Sequence, residues 1–418
     1  MVDKAAAVTD RSNDNTLVGE AVALRTHVKN TLEEEQDRNK EIEVSVVIPC
    51  LNEEETIVSC IKKALKAFRD HNITGEVVVS DNGSNDNSVA LAKNAGARVV
   101  HQPEKGYGNA YLKGFDEARG NYIIMGDADD TYDFLEIPKF IEPLRKGYDF
   151  VMGTRLKGNI LPGAMPWKHR YIGNPLLTAF LNLLFKAKIS DSHCGMRGFT
   201  KKAYKKLGLK TSGMEFASEM IIKAAKNNLK IKEVPITYYP RKGVSKLSSF
   251  KDGWRHLRFM LLFSPLHLFL IPGITIALFG IILMGLLLRG PLIIGDISLD
   301  VHPMFIGSLL VILGYQITAF GIHTKIYRVT CKIEDNDNLT KAILKHITLE
   351  KGLLLGSLIL IIGLITGLII FMKWIKSGFG SLQEVRLTLV ALTLIAIGTQ
   401  TIFSSFFLST LEIEKIKQ

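Results

Sequence analysis

Charge is scarce in the last third of this 418-residue chain: most of its 52 Lys and Arg and 41 Asp and Glu lie before about residue 260. Beyond that point four stretches hold no Lys, Arg, Asp or Glu at all: Ser264–Leu288, Met304–Thr324, Gly352–Met372 and Leu387–Leu408. Each has about the 20 residues that cross a ~30 Å hydrocarbon core as a helix. One such run would suit a buried helix of a soluble protein, but four in succession predict four transmembrane helices. Cysteine is scarce too. Cys50, Cys60, Cys194 and Cys331 lack the spacing of a zinc site, and in a cytosolic domain they are expected to stay reduced. The amino terminus lacks the apolar core of a signal peptide. Residues 1–42 are instead expected to form a polar extension, in which Leu17, Ala21, Leu24 and Val28 follow the spacing of a loose amphipathic helix. No aromatic–basic recognition module accompanies the net charge of +11. Much of that excess flanks the apolar runs, where anionic lipid attracts each Lys or Arg by roughly 1 kcal/mol. A membrane partner is expected, and a nucleic-acid partner is not.

The flanking charges also give an orientation. Lys242, Lys246, Lys251, Arg255 and Arg258 precede the first span, and Lys325, Arg328, Lys332, Lys341, Lys345 and Lys351 lie between the second and third. The segment Arg289–Pro303 has one Arg beside Asp296 and Asp300, and the loop after the third span has only Lys373, Lys376 and Arg386. The large amino-terminal domain, the middle loop and the tail are therefore expected on the cytosolic side. Phe250, Trp254, Leu257 and Leu261 share one helical face over residues 249–263, the pattern of an interfacial helix leading into the first span. It would keep the preceding domain close to the bilayer.

Between residues 43 and 248 strand and helix signals alternate. Val44–Ile48 reads as a strand stopped by Pro49, followed by a helix to about Asp70. Glu76–Ser80 is a second strand leading through Asp81-Asn-Gly-Ser-Asn-Asp86 into a helix over Ser88–Ala95. Arg98–His101, a helix opened by Gly106-Tyr-Gly108, and the strand Tyr122–Met125 follow. This alternation predicts a mostly parallel sheet with helices on both faces, an α/β Rossmann-like domain. Its polar strand ends (Pro49, Asn52 and Glu53; Asp81 and Gly83; Lys105, Gly106 and Gly108; Asp127 and Asp129) should gather on one edge, where ligands of such sheets bind. Asp127 and Asp129 offer hard oxygen ligands of the kind Mg²⁺ and Mn²⁺ prefer when bridging carboxylates to substrate phosphates. The carboxylates suit base edges or ribose hydroxyls, and the glycines are expected to let backbone approach a ligand.

These residues carry a resemblance. Ile48-Pro-Cys-Leu-Asn-Glu-Glu54, Ser80-Asp-Asn-Gly-Ser84, Lys105-Gly-Tyr-Gly108 and Asp127-Ala-Asp129 resemble family 2 glycosyltransferases of the GT-A fold. Gly153-Thr-Arg155, Trp167-Lys-His-Arg170, Asp191-Ser-His-Cys-Gly-Met-Arg-Gly-Phe199 and Arg241-Lys-Gly-Val-Ser-Lys246 are similar to the polyprenyl-phosphate hexose synthases, the dolichyl-phosphate mannose and glucose synthases among them. The resemblance spans roughly residues 43 to 250, with two departures. Asn82 stands where the family often has a second Asp, and Thr131 where it often has Gln two residues after the second metal Asp.

The resemblance implies transfer of a hexose from a nucleotide sugar (GDP-mannose or UDP-glucose) to a polyprenyl monophosphate, with Mg²⁺ or Mn²⁺ on Asp127 and Asp129. It places Pro49, Asn52, Glu53, Asp81, Gly83, Lys105, Gly106, Asp127, Arg241 and Lys246 on the nucleotide sugar, with Lys246 over its diphosphate. It places Arg155, Arg170 and Asn174 on the lipid phosphate, and Asp129, Arg155, Arg170 and Lys246 at the chemistry. Arg's forked donors match phosphate oxygens, and Asn174 falls one helical turn after Arg170. No His–carboxylate pair stands out as a general base. None is required, because a phosphate monoester with a second pKa of about 6 is already a dianion near neutral pH. The apolar stretch Ile172–Lys186 is either domain core or an interfacial helix meeting the lipid tail. The Gln-x-x-Arg-Trp string of processive polysaccharide synthases is missing; Gln383-Glu-Val-Arg-Leu387 does not match it. A lipid-sugar flippase with a sensor domain is disfavoured by the few ionisable or amide groups within the spans: His267, His323 and Gln400.

Overall fold

The structure, a computed structural model, describes residues 41–242, 249–331, 348–381 and 384–416. The helix expected within residues 1–42 and Lys246 thus lie outside the described residues. The chain divides into two compact units, Met1–Leu257 and Arg258–Gln418.

The first unit is built on a seven-stranded sheet of order β3-β2-β1-β4-β6-β5-β7. Its strands are β1 (Val44–Cys50), β2 (Gly75–Asp81), β3 (Arg98–His101), β4 (Tyr122–Met125), β5 (Phe150–Ile160), β6 (Arg197–Thr200) and β7 (Ile231–Tyr238). Its helices are α1 (Ile57–Asp70), α2 (Ser88–Asn94), α3 (Tyr107–Glu117), α4 (Ile137–Arg145), α5 (Asn174–Phe185), α6 (Lys201–Leu207) and α7 (Phe216–Lys226). Strands β1 and β2 bury Val44, Val46, Val47, Ile48, Val78 and Val79 completely, the near-continuous apolar pattern expected of parallel strands covered on both faces. Only β6 runs against its neighbours β4 and β5. The mostly parallel GT-A-like sheet read from the sequence is therefore present, with one reversed strand inserted beside β4. β5 runs past the short apolar segment Phe150–Met152, through the polar residues Lys157 and Asn159, because β7 pairs with it on both sides of a bulge between Thr154 and Asn159. Gly158 permits that contact: a Cβ there would lie 2.0 Å from the Ile236 carbonyl oxygen.

Helix α8 (Ser249–Leu262) takes up the interfacial segment. Among its described side chains His256 and Met260, one turn apart, are buried, and Trp254 is 57% exposed.

In the second unit four helices are long and apolar enough to cross a membrane: Leu266–Leu287, Val301–Thr330, Leu349–Lys376 and Val385–Leu411. Small residues let them approach. A Cβ on Gly280 would sit 2.6 Å from the Gly307 carbonyl oxygen, and one on Gly398 would sit 2.5 Å from the Leu360 nitrogen. This is the packing expected where lipid removes the hydrophobic drive between helices.

Candidate active site

The polar strand ends are knitted to one another. Asn52, in a left-handed conformation (φ 54°), accepts from the Asn85 amide at 2.8 Å, and its own N–H donates to Ser84 Oγ at 3.0 Å. The Glu53 amide donates to Ser88 Oγ at 2.9 Å. Pro49 is in register with Ser80 across the β1–β2 pair. Asp81 is 5% exposed; its carboxylate takes the Gly83 and Ser84 amides at 3.3 and 3.1 Å and meets His101 Nδ1 at 3.2 Å. Gly83 (φ +88°) makes this turn.

Asn82 explains the first departure from the family pattern. Its Nδ2 donates to the carbonyls of Gln102 and Glu104 at 3.0 and 2.8 Å, while its Oδ1 accepts from the Gly106 amide at 2.7 Å. An Asp here could not donate, and would set a carboxylate against two carbonyl oxygens. Asn82→Asp is expected to destabilise the domain by roughly 2 kcal/mol or more and to loosen the Gln102–Gly106 turn. Thermal unfolding and hydrogen exchange of that turn would register both effects.

The glycines of Lys105-Gly-Tyr-Gly108 have a purpose inside the protein itself. A Cβ on Gly106 would lie 2.4 Å from the Ser212 carbonyl oxygen, and one on Gly108 2.0 Å from that of Thr211. The two glycines admit the protein's own backbone, and the Gly108 amide bonds to the Ser212 carbonyl at 2.8 Å. Lys105 beside them is exposed.

Asp127 and Asp129 emerge after β4. Asp127 Oδ1 accepts from the hydroxyls of Tyr107 at 2.9 Å and Tyr111 at 3.1 Å, two partners the sequence did not single out. Burial, together with the charge of Asp129, raises the Asp127 carboxyl from 3.8 to about 6. Asp129 is 8% exposed, and its Oδ1 accepts from Thr131 Oγ1 at 2.6 Å and Thr131 N at 3.2 Å. Thr131 therefore orients the Asp129 carboxylate from behind. Arg241 bridges the ends of β1 and β4, 3.3 Å from Glu53 and 3.4 Å from Asp129 Oδ2. Asp130 (φ 59°) is a structural anchor, paired with Lys63 at 2.7 Å and Lys242 at 2.8 Å.

The cations expected for the acceptor differ in their surroundings. Arg155 is 6% exposed and forms a forked pair with Asp191: Nε to Oδ2 and Nη2 to Oδ1, both at 2.8 Å. Its guanidinium carbon stands 5.0 Å from the Tyr238 ring centre. Tyr132 and Tyr238 each feel the charges of both Arg155 and Asp127, so the cation and the acidic pair lie around shared phenols. Arg170 sits in a π-helical turn, His169–Gly173, that leads directly into α5 at Asn174. It is partly exposed and lies over the Tyr171 ring at 5.3 Å. Among the described residues no carboxylate is within ion-pair distance of it. Asn174 Nδ2 contacts Met165 Sδ at 3.5 Å. Around this turn Trp167, Tyr171, Ile172, Leu176 and Leu183 are all more than half exposed, while Leu181 is fully buried. Helix α5 thus has a core face, as one reading of the Ile172–Lys186 stretch expected, and a bare apolar face.

Arg197, in the string Asp191–Phe199, is another residue whose role was not legible. Completely buried, it spends its guanidinium on the carbonyls of Ser192 (3.0 Å), Cys194 (2.9 Å) and Ala217 (2.7 Å). It holds the Asp191–Gly195 loop from beneath.

Comparison with known proteins agrees with this architecture. Residues 45–208 match the family Glycosyl transferase family 2, and residues 322–412 match the Glycosyltransferase family 2 C-terminal transmembrane region. The chain is similar to a low-salt glycan biosynthesis hexosyltransferase of Haloferax volcanii, at 43% identity over 88% of this chain and 89% of that protein. It is also similar to a dolichyl-phosphate hexose transferase of the same organism, at 32% identity over 50% of this chain and 89% of that protein. Among solved structures it resembles glucosyl-3-phosphoglycerate synthase from Mycobacterium tuberculosis, at 21% identity over 54% of this chain and 81% of that one, with a TM-score of 0.43. The chain belongs to glycosyltransferase family 2, as an enzyme that joins a GT-A-like domain to four helices able to span a membrane.

Proposed function

We propose that this enzyme transfers a hexose from a nucleoside diphosphate sugar to a polyprenyl monophosphate with inversion, on the cytosolic face of a membrane. The observation that carries the reading is the Arg170 turn. A partly exposed guanidinium without a carboxylate partner among the described residues heads a helix whose outer face is bare Leu, Ile, Tyr and Trp. An anionic head on an apolar tail fits that pairing, and one relative is named a dolichyl-phosphate hexose transferase.

The donor set of Asp127 and Asp129 fits Mg²⁺ or Mn²⁺. It consists of carboxylate oxygens alone, and no cluster of three or more His, Cys, Asp or Glu that could hold a metal occurs among the described residues. Two carboxylates leave the remaining positions to diphosphate and water, as these ions favour, whereas zinc prefers nitrogen and sulfur. Such an ion, when bound, would neutralise the leaving diphosphate. The protein's own groups do the rest. Asn52, Glu53, Asp81 and the turns at Gly83 and Lys105–Gly106 line the nucleotide end. Arg241, already between Glu53 and Asp129, and Lys246 serve the diphosphate. Arg170 and Asn174 hold the acceptor phosphate, with Arg155 contributing what its pairing with Asp191 leaves. A phosphate oxygen forms the new bond to the anomeric carbon as the bond to the diphosphate breaks. No proton need move, so the chemistry requires no general base.

In this reading the four helices anchor the enzyme and guide the acceptor. A chain ending at Leu257 is expected to bind nucleotide sugar but to transfer poorly to long-chain acceptors in bilayers. A truncated form with full rates on such acceptors would refute the assignment.

A further inference from the structure

The loop Asp191–Gly195 touches each part of the site. Asp191 grips Arg155. Ser192 Oγ pairs with Thr178 Oγ1 of α5 at 2.9 Å, and its amide donates to the same hydroxyl at 3.1 Å. At Gly195 a Cβ would fall 2.8 Å from Asp127 Oδ2. Between them His193 points elsewhere. Its Nδ1 meets Ser192 Oγ at 2.9 Å, and its ring stands edge-on to that of His256 in α8, with centres 4.6 Å apart and planes at 86°. His256 in turn meets Ser218 Oγ of α7 at 2.9 Å and is 6% exposed. The Nε2 of His193 is buried and finds no hydrogen-bond partner among the described residues. A buried nitrogen without a partner costs stability, so an apolar side chain would fill this space at lower cost. Burial pushes the His193 imidazole down to about 3, so at neutral pH the contact is one of neutral rings rather than of charges.

We propose that His193 is a positioning residue for the acceptor side of the reaction. Through its edge-to-face contact with His256 it fixes the first half of α8 on the loop that sets Arg155 and abuts Asp127. The loop is then clamped from two sides, by Thr178 of α5 and by His256 of α8. Slack on the α8 side would let Asp191, and Arg155 with it, drift from the acceptor phosphate while leaving the nucleotide end, laced through Asn52, Asp81 and Asn82, intact. The proposal rests on the acceptor reading above.

The test uses the full chain in bilayers containing polyprenyl phosphate. His193→Ala and His256→Ala are each expected to raise the acceptor KM by about five- to tenfold, the worth of one aromatic edge-to-face contact. Donor affinity and kcat should stay within about twofold, and the double variant should be no worse than either single one. His256→Phe, which restores an aromatic ring against His193, should recover most of the loss. Equal losses in donor affinity or kcat, additive single effects, or an unchanged acceptor KM would each overturn the proposal. A second readout separates its failure from that of the acceptor reading. Amide hydrogen exchange over residues 253–257 should quicken in both alanine variants, whatever lipid the enzyme uses. Unchanged exchange refutes the contact, whereas wild-type protein inactive on polyprenyl phosphate, with exchange still quickened, refutes only the acceptor.

Discussion

Asp127→Asn is expected to make the ligand-free protein more stable and the enzyme inactive. The folded-state carboxyl is raised from 3.8 to about 6 by burial and by Asp129. A raised carboxyl favours folding while it is protonated, in full below about 3.8, and that advantage is lost as pH rises through about 6. At pH 7 the ionised group therefore works against the fold, by about 1–3 kcal/mol. Asn removes the charge but keeps an oxygen for Tyr107 and Tyr111. Unfolding at pH 7 without metal should shift upward in the variant, and the difference should vanish near pH 4. Added Mn²⁺ with nucleotide should stabilise wild type and leave the variant unmoved. Transfer should fall by at least about three orders of magnitude, because the leaving diphosphate loses several kcal/mol of charge neutralisation. Asp129→Ala should be equally inactive, with the hydroxyl of Thr131 stripped of its acceptor. Full turnover of wild type in excess EDTA, or equal stability of the Asn variant at pH 7, would contradict this account.

The second large effect is expected at Arg170. Arg155 has committed two of its three nitrogens to Asp191, whereas Arg170 has no carboxylate partner among the described residues, so Arg170 should carry more of the acceptor phosphate. Arg170→Ala is expected to cost about 1.5–3 kcal/mol, or roughly one to two orders of magnitude in transfer efficiency, with nucleotide-sugar affinity unchanged. Arg170→Lys should rescue only part, since an ammonium keeps the charge but not the fork. Arg155→Ala should do a different kind of harm. It leaves Asp191, which is completely buried, without its cation, and the damage should include folding as well as transfer. Parallel calorimetry of donor binding and transfer assays on one Arg170→Ala preparation would reveal a donor role by joint loss, and a surface arginine by no loss.

What could be read from the sequence follows from the range of the interactions. Periodicity gave the strands β1 to β4, and uncharged length gave the four spans, because each depends on residues close in the chain. The strand-end carboxylates were legible for the same reason, since Asp127 and Asp129 share one turn. Contacts made across the fold were not. That Gly106 and Gly108 also admit the Thr211–Ser212 backbone could not be read, since it comes from more than 100 residues away. Asn82 looks like a lapsed acid until two carbonyls and an amide converge on it. The reversed strand β6 shows no local signal of direction, and the role of Arg197 depends on three carbonyls that only the fold brings to it. The buried position of His256 in α8 was likewise not legible, because it depends on Ser218 of α7 and on the His193 ring.

The most direct measurement takes membranes carrying the full chain with polyprenyl phosphate, supplied separately with radiolabelled UDP-glucose, GDP-mannose and UDP-N-acetylglucosamine. One hexose label is expected to enter the chloroform phase as a mild-acid-labile lipid, and the Arg170→Ala chain, binding that donor equally well, should transfer far less of it. Label appearing only in a water-soluble product or a growing polymer, with none in the lipid phase, would contradict it.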